Sequence, residues 1–245
     1  MIKGEMNNIY RAIDIINSTV DMCFVVNLDK DTNRWSELSH HLELYNLKNI
    51  ERVSGVPEKY GHLGALISHT NIHKKIVDSG LTSALILEDD VRLHLSMEEN
   101  KLCKWDNIIN QLDSIDNNKR SIYYLGGRQP SENTVDLVPK SSHGAYAYIM
   151  TLPGAEYSCQ HHNFNIRKLQ EYINKHGVQG TYNGKWKHTD KFHIDNWLTS
   201  WKSNFRLSTP LFTHYHEYMS NTKPGVTYKQ LLERTGRNIK PKENF

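Results

Sequence analysis

Short unbroken apolar runs alternate along the chain with longer stretches in which apolar residues recur every three or four positions. Met22-Cys23-Phe24-Val25-Val26 and Ala84-Leu85-Ile86-Leu87 hold no polar residue, the pattern of strands buried on both faces of a parallel sheet. Ser121–Leu125 and Gly144–Met150 read as two more strands, and Ile50–Ser54 as a short one closed by Gly55 and Pro57. Ile9, Ile13, Ile15 and Ile16 mark an amphipathic helix over 7–18. Trp35, Leu38, Leu42 and Tyr45 mark one face of a helix starting near Thr32. Leu63, Leu66, Ile67, Ile72, Ile76 and Val77 give a third helix between Gly61 and Gly80, with Gly80 as its C-terminal stop. A fourth is expected from Met97 to Ile115, another opening at Pro153, and a short one over Ile194–Trp201 with Asp195 at its N-terminus. Thr134–Val138, Phe205–Leu207 and Pro210–Phe212 are weaker strand candidates. Residues 177–193 are polar and aromatic with little period, which predicts a loop or lid. Strand, helix, strand from residue 22 onward predicts an α/β fold and puts Asn27 and Ser54 at neighbouring strand tips.

Composition narrows the picture modestly. A chain of 245 residues fits one large domain, and no apolar run approaches the roughly 20 residues needed to cross a bilayer. Charged residues within the first 22 positions argue against a signal peptide or anchor there, so a cytoplasmic location is expected. The net charge of +3 is spread along the chain and argues little for nucleic acid; only the tail from Lys223 to Lys242 is clearly basic. Cys23, Cys103 and Cys159 are odd in number and widely spaced, which suits a reducing compartment better than a disulfide framework.

The chemistry concentrates after the central apolar run, where Glu88, Asp89 and Asp90 follow one another. Three adjacent carboxylates repel when desolvated together, so a cation or polar partners are expected beside them, and a divalent metal is the natural one. A solvated acidic turn is the alternative reading. Gly126-Gly127 at a strand end allows close backbone approach by a ligand, or simply a turn.

In order along the chain, Val25-Val26-Asn27-Leu28 with Arg34, Gly64-Ala65-Leu66-Ile67-Ser68-His69, Leu85-Ile86-Leu87-Glu88-Asp89-Asp90-Val91, His143-Gly144-Ala145-Tyr146 and His193-Ile194-Asp195 together resemble glycosyltransferase family 25. That family includes lipopolysaccharide galactosyltransferases and collagen hydroxylysine galactosyltransferases. Ala65 stands where the family usually has cysteine, and Pro210-Leu211-Phe212 fits its closing strand loosely. The resemblance spans about residues 22–222. It implies a GT-A-type fold with a mixed, mostly parallel sheet flanked by helices. That single domain would divide into a nucleotide-sugar half (22–130), an acceptor half (131–222) and a basic tail (223–245).

The same resemblance implies an inverting transfer of a hexose, galactose or glucose, from a UDP-sugar to a hydroxyl of a glycan or hydroxylysine acceptor, with Mn2+ or Mg2+. It implies Asp90 and Glu88 as metal ligands, with His214 or His216 as a third, and Asp89 toward the ribose or sugar hydroxyls. Asp195 is implied as the base that deprotonates the acceptor, with helix capping as its alternative role and Glu156 and Glu217 as fallback bases. Asn27 and Ser54 would hold uracil and ribose, Arg34 the phosphates, and His69, His143 and Gly127 the rest of the donor. Two other classes stay open. A metal-dependent nucleotidyltransferase is weakened by the lack of a GxxxxGK[ST] loop, and a non-catalytic nucleotide-sugar- or carbohydrate-binding module is weakened by the intact acidic trio.

Overall fold

The computed structural model describes residues 3–93, 105–126, 136–139, 145–182 and 190–214. In chain order these form α1 (Lys3–Thr19), β1 (Met22–Asn27), α2 (Thr32–Leu44), β2 (Ile50–Ser54), α3 (Gly61–Asp78), β3 (Ser83–Glu88), β4 (Val91–Leu93) and α4 (Trp105–Asp113). Then come β5 (Ile122–Tyr124), β6 (Val138–Pro139), β7 (Ala147–Thr151), α5 (Leu152–Tyr182), α6 (Ile194–Thr199), β8 (Asn204–Arg206) and β9 (Phe212–His214).

Seven strands make one sheet in the order β2-β1-β3-β7-β5-β8-β6. β2, β1 and β3 are parallel, β7 runs antiparallel between β3 and β5, and β8 is parallel to β5. Five strands therefore share a direction, and the sheet is mixed and mostly parallel, as the sequence predicts. Alternation along β3 splits the core. Leu85 and Leu87 pack with residues of α1, α2 and α4, while Ala84 and Ile86 pack with residues of α3, α5 and α6. Both faces of the strand are thus covered by helices, which is why Ala84–Leu87 hold no polar residue. Complete burial of a leucine or isoleucine here contributes about 1.5–3 kcal/mol.

The departures from expectation lie in the second half. α5 continues past the expected loop start at residue 177 and breaks within itself at Gly177, whose φ of 69° and ψ of 164° leave the helical region. Asp190–Phe192 form a 3-10 turn rather than loop. Of the weak strand candidate over 134–138, residues 134 and 135 lie outside the described residues, and the pairing begins at Val138, with Val138 opposite Arg206 and Pro139 opposite Phe205. β4 and β9 form a separate two-stranded ribbon in which Val91 faces His214. The helix expected from Met97 is described only from Trp105. No helix among the described residues is long and apolar enough to cross a membrane.

Candidate functional site

The parallel ladder brings three strand ends to one edge, with Asn27 opposite Ser54 and Val26 opposite Glu88. Ligands in open α/β sheets bind beyond such carboxyl ends. Asn27 is buried and its amide is fully used inside the protein. Nδ2 donates to the Asp31 carbonyl at 3.0 Å and to Asp89 Oδ2 at 2.8 Å, and Oδ1 accepts from Arg52 Nε at 2.8 Å. Ser54 is exposed and donates to Asp29 Oδ1 at 2.9 Å, which also takes Arg52 at 2.6 Å. Neither Asn27 nor Ser54 lines the cleft beside these tips.

That cleft encloses about 510 Å³, and Glu88, Asp89 and Asp90 all line it. Arg34, from α2, donates to Asp89 Oδ1 at 2.9 Å, with about a tenth of either side chain exposed. One carboxylate of the trio is thereby paired within the protein. Burial, then the neighbouring Asp90, push the Asp89 carboxyl up from its ordinary value against the pull of Arg34 and Asn27. Asp90 is 8% exposed and the Glu88 side chain 29%.

α3 supplies the next wall through Gly64, Ser68 and His69. The Ser68 hydroxyl donates to the Gly64 carbonyl at 2.7 Å and accepts from the Val56 N–H at 2.8 Å. A Cβ on Gly64 would sit 2.5 Å from the Val56 carbonyl oxygen, so only glycine lets the loop after β2 lie this close. His69 is fully buried, with Nδ1 2.8 Å from the Tyr148 hydroxyl and Nε2 3.2 Å from Glu88 Oε1. Burial lowers its pKa to about 4, although Asp195 pulls the other way, so the ring is neutral at neutral pH.

The remaining wall comes from the start of β7 and from α6. Because β7 is antiparallel to β3, its beginning meets the end of β3, and the Glu88 N–H donates to the Tyr146 carbonyl at 2.9 Å. Asp195 lines the cleft, and its Oδ1 accepts from the Ala145 N–H at 2.8 Å. The N-cap position of α6 belongs to His193, not Asp195, so Asp195 is not the helix cap. His193 Nε2 meets the Tyr60 hydroxyl at 2.8 Å, and its ring stacks on His62 with centroids 4.1 Å apart.

Glu88, Asp89, Asp90, Arg34, His69 and Asp195 therefore come together in one cleft from four separate elements or their ends. Lys30 and Lys59 also line it and escaped the sequence reading. Lys30 lies three residues past Asn27, close enough to the β1 tip to have been found from position alone. Gly127, His143, His216 and the side chain of His214 lie outside the described residues.

Glu88 and Asp90 provide carboxylate oxygens of the kind hard divalent cations take. Among the described residues no group of three or more histidines, cysteines or acids is gathered around a point. These two carboxylates fit an ion that takes other ligands from phosphates and water.

The sequence model of glycosyltransferase family 25 (LPS biosynthesis protein) matches residues 59–163. The matched stretch is similar to that family. It holds the Gly64–His69 helix, the acidic end of β3 and the start of β7, so the family's matched stretch builds three of the cleft's walls. Procollagen galactosyltransferase 1 of Danio rerio is 30% identical over 110 residues, 42% of this chain and 18% of that protein. Procollagen galactosyltransferase 2 of Homo sapiens is 28% identical over 125 residues, 44% of this chain and 19% of that protein. The match thus spans less than a fifth of either relative's length. A solved structure, a glycosyltransferase involved in the glycosylation of the major capsid of PBCV-1, is similar at a TM-score of 0.39 and 11% identity, over 82% of this chain and 94% of that one.

Proposed function

We propose that the chain is a glycosyltransferase that moves a hexose, galactose or glucose, from a UDP-sugar to a hydroxyl of a glycan or hydroxylysine acceptor, with inversion and with a divalent cation, Mn2+ or Mg2+. The observation that supports this most directly is the shared cleft, in which the Glu88–Asp89–Asp90 end of β3 and Asp195 of α6 line one space of about 510 Å³. Acids on one wall and a separate carboxylate on another suit a displacement in which leaving group and attacking hydroxyl stand on opposite sides of the sugar carbon.

Breaking the bond between the sugar carbon and the diphosphate leaves negative charge on the diphosphate. A divalent cation held by Glu88 and Asp90 supplies neutralisation of that charge when bound. Lys30 and Lys59 add protein cations at the same rim. Arg34 acts through Asp89, pairing with it so that the trio does not carry three unbalanced charges. Asp195 takes the proton from the acceptor hydroxyl as it attacks; the Ala145 N–H holds its Oδ1 and so orients the carboxylate. His69, neutral and buried, steadies Glu88.

The test is a screen of UDP-sugars for UDP release with Mn2+ present, repeated with Asp90→Ala. Release with the wild type and loss with a folded Asp90→Ala protein is the expected result. Turnover unchanged in the variant removes Asp90 from the mechanism, and pyrophosphate release instead of UDP would indicate nucleotidyl transfer.

A further inference from the structure

Behind His69 the structure carries a buried line of polar groups that the transfer reaction does not itself require. His69 Nε2 lies 3.2 Å from Glu88 Oε1, and His69 Nδ1 lies 2.8 Å from the Tyr148 hydroxyl. The same hydroxyl lies 2.9 Å from His73 Nε2, and His73 Nδ1 lies 2.7 Å from the Ser158 hydroxyl. His69, His73, Tyr148 and Ser158 are all fully buried, on α3, β7 and α5.

Counting protons fixes the direction of these contacts. Two neutral imidazoles, one phenol and one hydroxyl bring four hydrogens to four gaps, so each gap holds one. A carboxylate only accepts, so His69 Nε2 must carry its hydrogen toward Glu88, leaving His69 Nδ1 to accept. Tyr148 then donates to His69, His73 Nε2–H donates to Tyr148, and Ser158 donates to His73 Nδ1. The opposite direction would point a lone pair of His69 at Glu88.

We propose that Ser158, His73 and Tyr148 are positioning residues, forming a one-way hydrogen-bond chain that holds His69 in its Nε2–H tautomer and so anchors Glu88 at the lip of the donor cleft. Partners of this kind, one step removed from a ligand, set the tautomer and orientation of the residue they touch. The role given to Glu88 rests on the proposed transferase function; the tautomer does not.

The test is nitrogen NMR of the 15N-histidine-labelled full chain without substrate, compared with Tyr148→Phe. In the wild type, His69 and His73 should both show a pyridine-type Nδ1 and a pyrrole-type Nε2. In Tyr148→Phe, His69 Nδ1 loses the hydroxyl that donates to it, so its pyridine-type resonance should shift, and UDP-sugar turnover should fall about 10-fold, the lower end of the range for partners that support a ligand. A wild-type His69 with its hydrogen on Nδ1 overturns the proposal, whether or not the variant folds. An unchanged His69 spectrum in a folded Tyr148→Phe protein overturns it too. Absence of transferase activity in a wild type with the expected tautomers would reject the functional reading and leave the chain standing.

Discussion

The Asp195 carboxylate and the Ala145 N–H are joined by a hydrogen bond of 2.8 Å, linking α6 to the segment that leads into β7. This contact separates two consequences of changing Asp195. Asparagine keeps an oxygen for the Ala145 N–H but cannot take a proton, whereas alanine removes both. Asp195→Asn should lower turnover about 10²–10⁴-fold with little change in melting temperature. Asp195→Ala should in addition lose about 1 kcal/mol of stability. Steady-state assay beside thermal unfolding checks both; near-normal turnover in Asp195→Asn would move the base elsewhere.

Arg34 and Asp89 are paired within a buried environment, so removing either takes away the other's ion-pair partner. Arg34→Ala or Asp89→Ala should cost about 3–5 kcal/mol in urea unfolding, more than a surface ion pair ever contributes. A cost below about 1 kcal/mol would show that water reaches the pair.

Acid should weaken the fold through its buried imidazoles. An unfolded histidine takes a proton below about pH 6.5, whereas burial holds His69 back to about 4 and His73 well below its ordinary value. Between these limits the unfolded chain binds more protons, so stability is complete above about pH 6.5 and falls as pH drops toward 4. His69 alone contributes about 3 kcal/mol to this loss. His41, whose Nε2 accepts from the Leu93 N–H at 3.1 Å, is also lowered to about 4, by burial and then by Arg92, and adds in the same direction. Urea midpoints measured at about pH 7 and about pH 5 check the slope; equal midpoints would contradict neutral burial.

Gly64→Ala tests the seat of the loop after β2. The new methyl would meet the Val56 carbonyl oxygen at 2.5 Å and Glu58 Cβ at 3.3 Å, and Val56 and Glu58 both line the cleft. The loop must move outward. We expect a raised KM for the sugar nucleotide and a stability loss of about 1–3 kcal/mol. Full activity with normal KM would mean that this loop does not touch the donor.

Much of this was legible beforehand, for physical reasons. The apolar runs at 22–26 and 84–87 can be satisfied only by helices on both faces, and the period over 61–80 gives α3 directly. The acidic trio announced the cleft. Its internal arrangement was hidden, because Arg34 meets Asp89 across 55 residues and Asn27 meets it across 62. Pairing at that range depends on how β1, α2 and β3 are set together. Asn27, expected to face a ligand, is turned to the protein itself, while Arg34 lines the cleft and gives one donor to Asp89. Ser54 turns to Asp29 for the same kind of reason: its nearest strong acceptor is on the neighbouring tip. Tyr148 and His73 carried no signal, since a tyrosine in a strand and a histidine in a helix are ordinary core residues.

The reversed direction of β7 ties the cleft to the architecture more tightly than an all-parallel sheet would. Its first residues abut the exit of β3, while Tyr148, paired opposite Ile86, reaches the imidazoles of α3 from the same strand. A slip of β7 by one residue would turn Tyr148 to the other face and displace Ala145 from Asp195 in a single movement. Inserting or deleting one residue just ahead of Ala147 should therefore be far more harmful than the same change at an exposed turn. This short strand acts as a ruler for the whole site.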